Sequence, residues 1–311
     1  MRIVFMGTPE FAVPCLERLV FDGYDVVGVF TQPDKPKGRG HKMQFPPVKE
    51  KAAEYNIPVF QPTKMKDGTA YGILKELDPE LIIVVAYGKI IPQDILDLPK
   101  YGCVNIHASL LPRYRGAAPI QWCVLNGEKK SGVTSMQMDS GLETGDMLIK
   151  AETEIGENMT AGELHDKLSK LGAEVMSQTI KKIIDGTLER EKQDDLLSNY
   201  APMLSKELCP VDWSKSADEI HNQVRGLSPW PIATSVLNGE IYKLHKTEKI
   251  GKTKGEPGEI VSTQGGLTVA CGDGNGVRIL MIQAPGKKAM SCADFLRGHK
   301  IEVGEKFECG D

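Results

Sequence analysis

Four short, almost unbroken apolar runs dominate the first third of the chain: RIVFMG (2–7), DVVGVFT (25–31), ELIIVVAYG (80–88) and GCVNIH (102–107). A strand with one wet face alternates apolar and polar residues, whereas a strand covered on both faces reads as a continuous apolar run. Stretches of helical spacing separate the runs: PEFAVPCLERLVFDG, closed by Gly23, and segments near 68–77 and 92–98. Parallel strands joined by crossover helices satisfy both patterns. The fold class expected is therefore α/β, with a doubly wound, mainly parallel, Rossmann-like sheet.

Farther along, MTAGELHDKLSKLGAEVMSQTIKKIIDG (159–186) reads as one amphipathic helix, opened by Thr160 with Glu163 as a capping box and stopped by Gly186. Residues 187–207 are polar and aperiodic, which suits a linker. After a short helix at 216–226 the pattern changes to strands and tight turns. IATSVLNGEIYKLHKTEKI places an Asn-Gly turn between two strands, and GEIVSTQGGLTVACGDGNGVRILMIQA repeats short strands with glycine turns. The organisation expected is a large domain over 1–186, a linker over 187–207 and a smaller, barrel-like antiparallel β domain over 208–311.

With a net charge of -4 over 311 residues the chain is not coated in positive charge, so contact with nucleic acid would need a local patch. One candidate is TQPDKPKGRGHKMQFPPVK (31–49), long for a connection that follows a strand, where about 2 to 6 residues is typical. Lys35, Lys37, Arg39, Lys42 and Lys49 outnumber its one acid, Asp34, and its prolines and glycines argue against regular structure. A second is Lys243, Lys246, Lys249, Lys252 and Lys254, opposed by Glu248 alone, although such a run is more commonly a solvated face. The seven cysteines form no C-x-x-C pair and no ligand spacing, so a reducing compartment and no metal site are expected. Met1 leads straight into a core strand, and no apolar run reaches the roughly 18 to 20 residues that span a bilayer. These features predict a soluble cytoplasmic protein with no membrane partner.

Ligands of open α/β sheets sit beyond the carboxyl ends of the strands, near the point where strand order reverses. GCVNIH ends in such a region, and Asn105 and His107, two apart on a strand, point to one face. A single histidine there is more often structural. Its company, an amide and the loop SLLPRYRGAAP with backbone and Ser109 groups able to grip a flat polar ligand, shifts that balance. GVTSMQMDSGLETGDML (132–148) ends in a second glycine-rich loop and offers Asp139, Glu143 and Asp146. An amide, an imidazole and a carboxylate converging on one pocket suit acyl transfer without a covalent enzyme intermediate. The amide and a protonated imidazole hold the oxyanion, while the acid orients the histidine and helps remove a proton from an attacking amine. G-x-S-x-G, G-x-G-x-x-G and Walker A sequences are absent, which argues against a serine nucleophile, NAD and ATP.

NIHASLLPRYRGAAPIQW (105–122), with GVTSMQMDSGLETGDM, resembles the folate-dependent formyltransferases. FMGTPEFAVP, TQPDKPKGRG, VVAYGKIIP and APGKKAM extend the resemblance over nearly the whole chain, toward the branch that formylates methionyl-initiator tRNA. The resemblance implies 10-formyltetrahydrofolate as cosubstrate and initiator methionyl-tRNA as partner. It implies Asn105, His107 and an acid as catalytic residues, and Ser109, Leu110, Leu111 and Pro112 as folate contacts. It further implies that the basic loop, with Lys35, Lys37, Arg39 and Lys42, enters the acceptor stem, Arg39 above all. The C-terminal domain is then an OB-like barrel along the tRNA backbone, with the Lys243 to Lys254 run following phosphates. A monomer without a metal is expected.

One position departs from the pattern. Where the family has L-D-T-G this chain has LETG, and catalytic geometry tolerates errors of only about 0.5 Å, so an added methylene matters. Glu143 is assigned the role of the acid, with Asp139 and Asp146 as alternatives. Sugar-nucleotide N-formyltransferases and formyltetrahydrofolate hydrolases share the catalytic motif, but neither substrate requires a cationic arm. A tRNA-binding protein that has lost catalysis is the alternative from another class; intact Asn105, His107 and SLLP argue against it.

Overall fold

A computed structural model describes residues 1–37 and 42–308. It contains two compact units, each assembled from separated stretches of chain: the first from 1–116, 132–153 and 165–200, the second from 117–131, 154–164 and 201 onward. In chain order the elements are β1 (Arg2–Gly7), α1 (Val13–Phe21), β2 (Asp25–Phe30), β3 (Lys35–Lys37), β4 (Lys42–Gln44), α2 (Pro47–Glu54), β5 (Val59–Phe60), α3 (Thr69–Leu77), β6 (Leu81–Val85), α4 (Gln93–Leu96), β7 (Cys103–His107), α5 (Pro119–Leu125), β8 (Lys130–Gln137), β9 (Met147–Glu154) and α6 (Ala161–Asp185). The chain continues with α7 (Ala217–Gly226), β10 (Ala233–Leu237), β11 (Glu240–Lys252), β12 (Ile260–Ser262), β13 (Leu267–Ala270), β14 (Asn275–Gln283), β15 (Met290–Ser291) and α8 (Cys292–Gly298).

The first unit is the expected doubly wound sheet, in the order β5-β2-β1-β6-β7-β8-β9. Strands β5, β2, β1, β6 and β7 run parallel, and β8 runs antiparallel to β7. Every residue of β6 is buried, as its unbroken apolar run requires. Val4, Met6, Ile82, Val84 and Cys103 pack on one face with Ala70 and Leu74 of α3. On the other face α6 passes close to Ile106 at Gly172, and its Ser169 hydroxyl donates to the Phe11 carbonyl at 2.8 Å. The capping box that opens α6 is present: Thr160 N–H donates to Glu163 at 2.8 Å and Glu163 N–H to the Thr160 hydroxyl at 3.2 Å. Strand order reverses between β1 and β6, which sets a crevice at their carboxyl ends beside the end of β7.

The basic loop after β2 is more regular than its prolines suggested. β3 and β4 pair as a two-stranded antiparallel ribbon with Pro36 opposite Met43. A ribbon of two strands consists entirely of edges, so the missing proline N–H can face away from the partner at no cost in ladder hydrogen bonds.

In the second unit the sheet order is β10-β11-β14-β13-β12, with β15 also pairing β14, and neighbouring strands are antiparallel. The expected Asn-Gly turn joins β10 to β11, with φ of 53° at Asn238 and 78° at Gly239. Residues 304–308 then stitch the two edges together. Ile260 N–H donates to the Glu305 carbonyl at 2.8 Å, Phe307 N–H to Gly258 at 2.9 Å, and Glu308 N–H to Val236 of β10 at 2.9 Å. This is how the sheet acquires its barrel-like character without an exposed pairing edge along that side. Trp213 is fully buried in the core, stacked on Phe307 with its indole N–H donating to the Ser235 hydroxyl at 2.9 Å. The core also includes Ala118 beside α5 and, packed against it, Trp122 and Leu125, which lie far in sequence from the rest of this unit.

Candidate active site

β7 delivers Asn105 and His107 to one face, between β6, where Val84 opposes Asn105, and β8, where Thr134 opposes His107. His107 is only 5% exposed. Its Nδ1 lies 3.1 Å from Oε1 of Glu143, and its Nε2 lies 2.9 Å from the carbonyl oxygen of Tyr114. Both neighbours are acceptors. A neutral imidazole has one N–H and can satisfy one of them; a protonated ring facing a carboxylate satisfies both. The second Glu143 oxygen accepts the backbone N–H of Gly116, so the acid is held at both ends. The Asn105 carboxamide is half-buried and has no hydrogen-bond partner among the described residues.

Among the three acids, Glu143 is the one at His107. Asp139 is engaged by its own turn, accepting from Gly141 N–H at 3.1 Å and from the Thr144 hydroxyl at 2.9 Å. The Asp146 side chain makes no hydrogen bond among the described residues. The turn is tight because Gly145 runs against β8, where a Cβ would collide with the Gln137 carbonyl oxygen.

The SLLP segment divides its labour. Ser109 is fully buried, its hydroxyl donating to the Arg113 carbonyl at 2.7 Å, so that hydroxyl shapes the loop from within. The Thr134 hydroxyl ties the same loop to β8, donating to the Ser109 carbonyl at 2.7 Å and accepting from Leu111 N–H at 3.1 Å. Leu111 is buried with Met136 and Met147. Leu110 and Pro112 are half-exposed.

Two further residues of the site, Gln193 and Asn199, carry no sequence signal, and both meet the PRYRG loop. Gln193 Nε2 donates to the carbonyl oxygens of Glu143 at 2.8 Å and Gly145 at 2.7 Å. Arg115 donates to Gln193 Oε1 through Nε at 3.1 Å and a terminal nitrogen at 2.8 Å, and pairs with Asp195 at 2.7 Å. Asn199 Oδ1 accepts the Tyr114 N–H at 2.5 Å. Gln193 and Asn199 lie in the stretch expected as linker, 48 to 85 positions from these partners, so no local pattern could reveal them.

Burial pushes the thiols of Cys15 and Cys103 up to about 12, which removes any thiolate nucleophile from this part of the sheet. No group of three or more His, Cys, Asp or Glu side chains among the described residues is placed to hold a metal. No described helix is long and apolar enough to cross a membrane. A shallow polar depression lined in part by Lys100, Lys182 and Arg190 sits where β7 begins and contains none of the residues assigned to the site.

The basic residues separate into bound and free. Lys35 is exposed, and Lys37 and Lys42 are backbone partners at the end of the β3–β4 ribbon; Arg39 lies outside the described residues. Lys49 is not available to a ligand, since it pairs with Asp34 at 2.6 Å, donates to Gln61 at 2.9 Å and stands over the Phe45 ring. The same correction applies to Lys249, bound to Asp218 at 2.6 Å and Glu157 at 3.0 Å. It faces α7 because Thr247 and Lys249 share the inward side of β11, whereas Lys243, Lys246, Lys252 and Lys254 are exposed.

Residues 1–180 match the formyl transferase family and residues 203–300 match the formyl transferase C-terminal domain. The chain belongs to the formyl transferase family. This formyl transferase is 52% identical over 308 residues to the methionyl-tRNA formyltransferase of Acetivibrio thermocellus, an alignment that covers 98% of this chain and 99% of that one. It is 51% identical over 307 residues to the methionyl-tRNA formyltransferase of Geobacter sulfurreducens, covering 98% and 96%. Solved structures share the fold at lower identity. The N-formyltransferase from Helicobacter canadensis, in complex with folinic acid and dTDP-3-aminofucose, gives a TM-score of 0.70 at 22% identity, covering 91% of this formyl transferase and 98% of that chain. WlaRD, a sugar 3N-formyl transferase, gives 0.69 at 22% identity, covering 93% and 99%.

Proposed function

We propose that this chain transfers the formyl group of 10-formyltetrahydrofolate to the α-amino group of methionyl-initiator tRNA, as a cytoplasmic monomer. The observation that carries the reading is the 3.1 Å contact between His107 and Glu143 beside an Asn105 carboxamide that has no partner among the described residues. It occurs in a chain that aligns over 98% of its length with methionyl-tRNA formyltransferases.

The residues fit a folate cosubstrate. Leu110 and Pro112 offer half-exposed apolar surface to a flat ring system, and Asn105 offers free N–H donors to a carbonyl oxygen. When bound, 10-formyltetrahydrofolate supplies a formyl carbon activated as an amide on N10. Asn105 donates to the formyl oxygen as negative charge develops there, an interaction whose removal costs about 10²- to 10³-fold in comparable sites. A protonated His107, donating to both Glu143 and the Tyr114 carbonyl, would add a positive field at the same point. Its N–H groups are engaged by protein acceptors, so its contribution in this arrangement is charge, and Asn105 is the free donor. Glu143 fixes the ring. An α-amino group has a pKa of about 7.7 to 8.0, so roughly a tenth of the nucleophile is neutral near pH 7 and needs placement more than activation. As its nitrogen bonds to the formyl carbon the C–N10 bond breaks, and the proton the amine gives up is matched by the one N10 takes up, exchanged through solvent. Lys35, Lys37, Arg39 and Lys42 are assigned to the acceptor stem, and the exposed lysines of the second unit to the tRNA backbone.

The test is transfer of labelled formyl from 10-formyltetrahydrofolate to initiator and elongator methionyl-tRNA. Transfer selective for the initiator is expected. Absence of transfer by a protein that still binds the folate would refute the acceptor assignment.

A further inference from the structure

Both acceptors that flank His107 sit on unfavourable backbone. Glu143 and Tyr114 each have a φ of 57°, in the left-handed region that residues with large side chains seldom adopt. Such conformations persist where the surroundings over-determine them. Here a single stretch of chain does so for both. Gln193 takes hold of the Glu143 carbonyl, and Asn199 takes hold of the Tyr114 N–H.

We propose that Gln193 and Asn199 are positioning residues that fix the two acceptors of His107 and thereby set its orientation and charge. The proposal rests on the catalytic reading of His107 and Glu143. Gln193 is the stronger half. Its amide uses two donors on the carbonyls of Glu143 and Gly145, and its oxygen accepts two bonds from Arg115. Turning the amide over would set N–H against guanidinium N–H and oxygen against two carbonyl oxygens, so the network admits one orientation. Arg115 is itself anchored to Asp195, and its backbone N–H donates to the Asn199 carbonyl at 3.0 Å. The stretch is tied to β9 through reciprocal Met147 and Glu191 backbone bonds at 2.8 and 2.9 Å. The polar atoms of Gln193 are spent on Glu143, Gly145 and Arg115, and Oδ1 of Asn199 on Tyr114. The effect of this network would reach the chemistry only through the placement of His107, where a displacement of about 1 Å is worth on the order of 100-fold in rate.

The experiment measures kcat and KM for both substrates in Gln193→Glu, Gln193→Met, Asn199→Ala and Asn199→Asp, each also combined with Glu143→Gln. Glutamate keeps the acceptor for Arg115 and loses both donors; aspartate at 199 keeps the acceptor for Tyr114 N–H. Expected are losses in kcat of tenfold or more for both Gln193 variants and for Asn199→Ala, with each KM within twofold. Asn199→Asp should stay within threefold of wild type, a rescue that a role in general stability does not predict. In the Glu143→Gln background, where His107 has already lost its charged partner, the Gln193 changes should add less than twofold. Gln193 variants within threefold of wild type, or losses that multiply in full on Glu143→Gln, overturn the proposal. If Glu143→Gln alone is nearly as active as wild type, the catalytic reading fails first, and a remaining defect in the Gln193 variants would have to act elsewhere.

Discussion

Glutamine at position 143 tests how the acid works, because it keeps the shape of the side chain and removes one acceptor. In the native site one carboxylate oxygen faces His107 Nδ1 at 3.1 Å and the other accepts from Gly116 N–H. An amide can face this pair in two ways. With its NH2 toward Gly116, two donors oppose each other in a half-buried site, at a cost of about 1 to 3 kcal/mol. With its NH2 toward His107, the oxygen still accepts from Gly116, the ring becomes a neutral tautomer with its lone pair at Nδ1, and Nε2–H still donates to Tyr114. The second arrangement satisfies every group, so Glu143→Gln should fold normally and hold His107 neutral. The positive field at the formyl oxygen is then lost. Comparable losses of charge stabilisation amount to about 2.7 to 4 kcal/mol, or 10²- to 10³-fold in rate. Single-turnover formyl transfer reads the rate, and nitrogen NMR of labelled histidine reads the tautomer. Transfer within threefold of wild type, or an imidazolium signature that persists in the variant, would refute this account.

Other consequences can be checked independently. Asn105→Ala should lower kcat at least tenfold while shifting Tm by less than about 2 °C, because its removal leaves no buried partner unsatisfied; thermal melting beside steady-state kinetics decides the point. Lys249→Met should weaken the second unit in a pH-dependent way. Hydrogen bonds from Lys249 hold the carboxyls of Asp218 and Glu157 below the usual range, and hydrogen bonds to those acids raise the Lys249 ammonium. The acids contribute above their unfolded values of about 4 and lose that contribution as pH falls through their lower folded values, while the lysine contributes below about 10.4 and loses it as pH rises through its raised value. The Tm difference from wild type should therefore be widest at about pH 5 to 9 and narrow toward both extremes; parallel melting profiles would contradict the assignment. Lys243→Ala and Lys246→Ala should each lower the salt slope of tRNA binding by about one, and Lys249→Ala should leave it unchanged, as read from binding isotherms across a salt series.

What the sequence disclosed and what it concealed follow from the range of the interactions involved. The strands β1, β2, β6 and β7 were legible because burial on both faces leaves a continuous apolar run, and α6 because its Thr160–Glu163 cap and Gly186 are local. Asn105 and His107 were legible for the same reason, since strand parity alone puts them on one side. Glu143 was picked out by its place in LETG, and the structure adds why Asp139 does not meet the ring: the Thr144 hydroxyl, five residues on, already occupies it. Gln193 and Asn199 were invisible in principle, because a polar residue in an aperiodic stretch looks the same whether it is solvated or bonded to a backbone group 85 positions away. One lysine of each cluster was hidden for a related reason: charge counts along the chain do not show which acid pairs with which lysine, here Asp34 with Lys49 and Asp218 with Lys249, 15 and 31 residues apart.

The second unit draws α5 and residues 154–164 out of the middle of the chain. During synthesis α5 is complete long before α7, against which it packs where Leu125 meets Gly226, has been made. At about 5 to 20 residues per second the interval is roughly 5 to 20 s, during which the apolar side of α5 has no mate. The molecule is therefore not two beads threaded in order on a string. A fragment begun at residue 203 would lack its own α5, and a fragment ended at 186 would carry that helix without its core, so neither half can be lifted out at the boundary that composition suggests. Shuffling of this C-terminal module between proteins, natural or engineered, would have to carry along two inserts from the preceding domain.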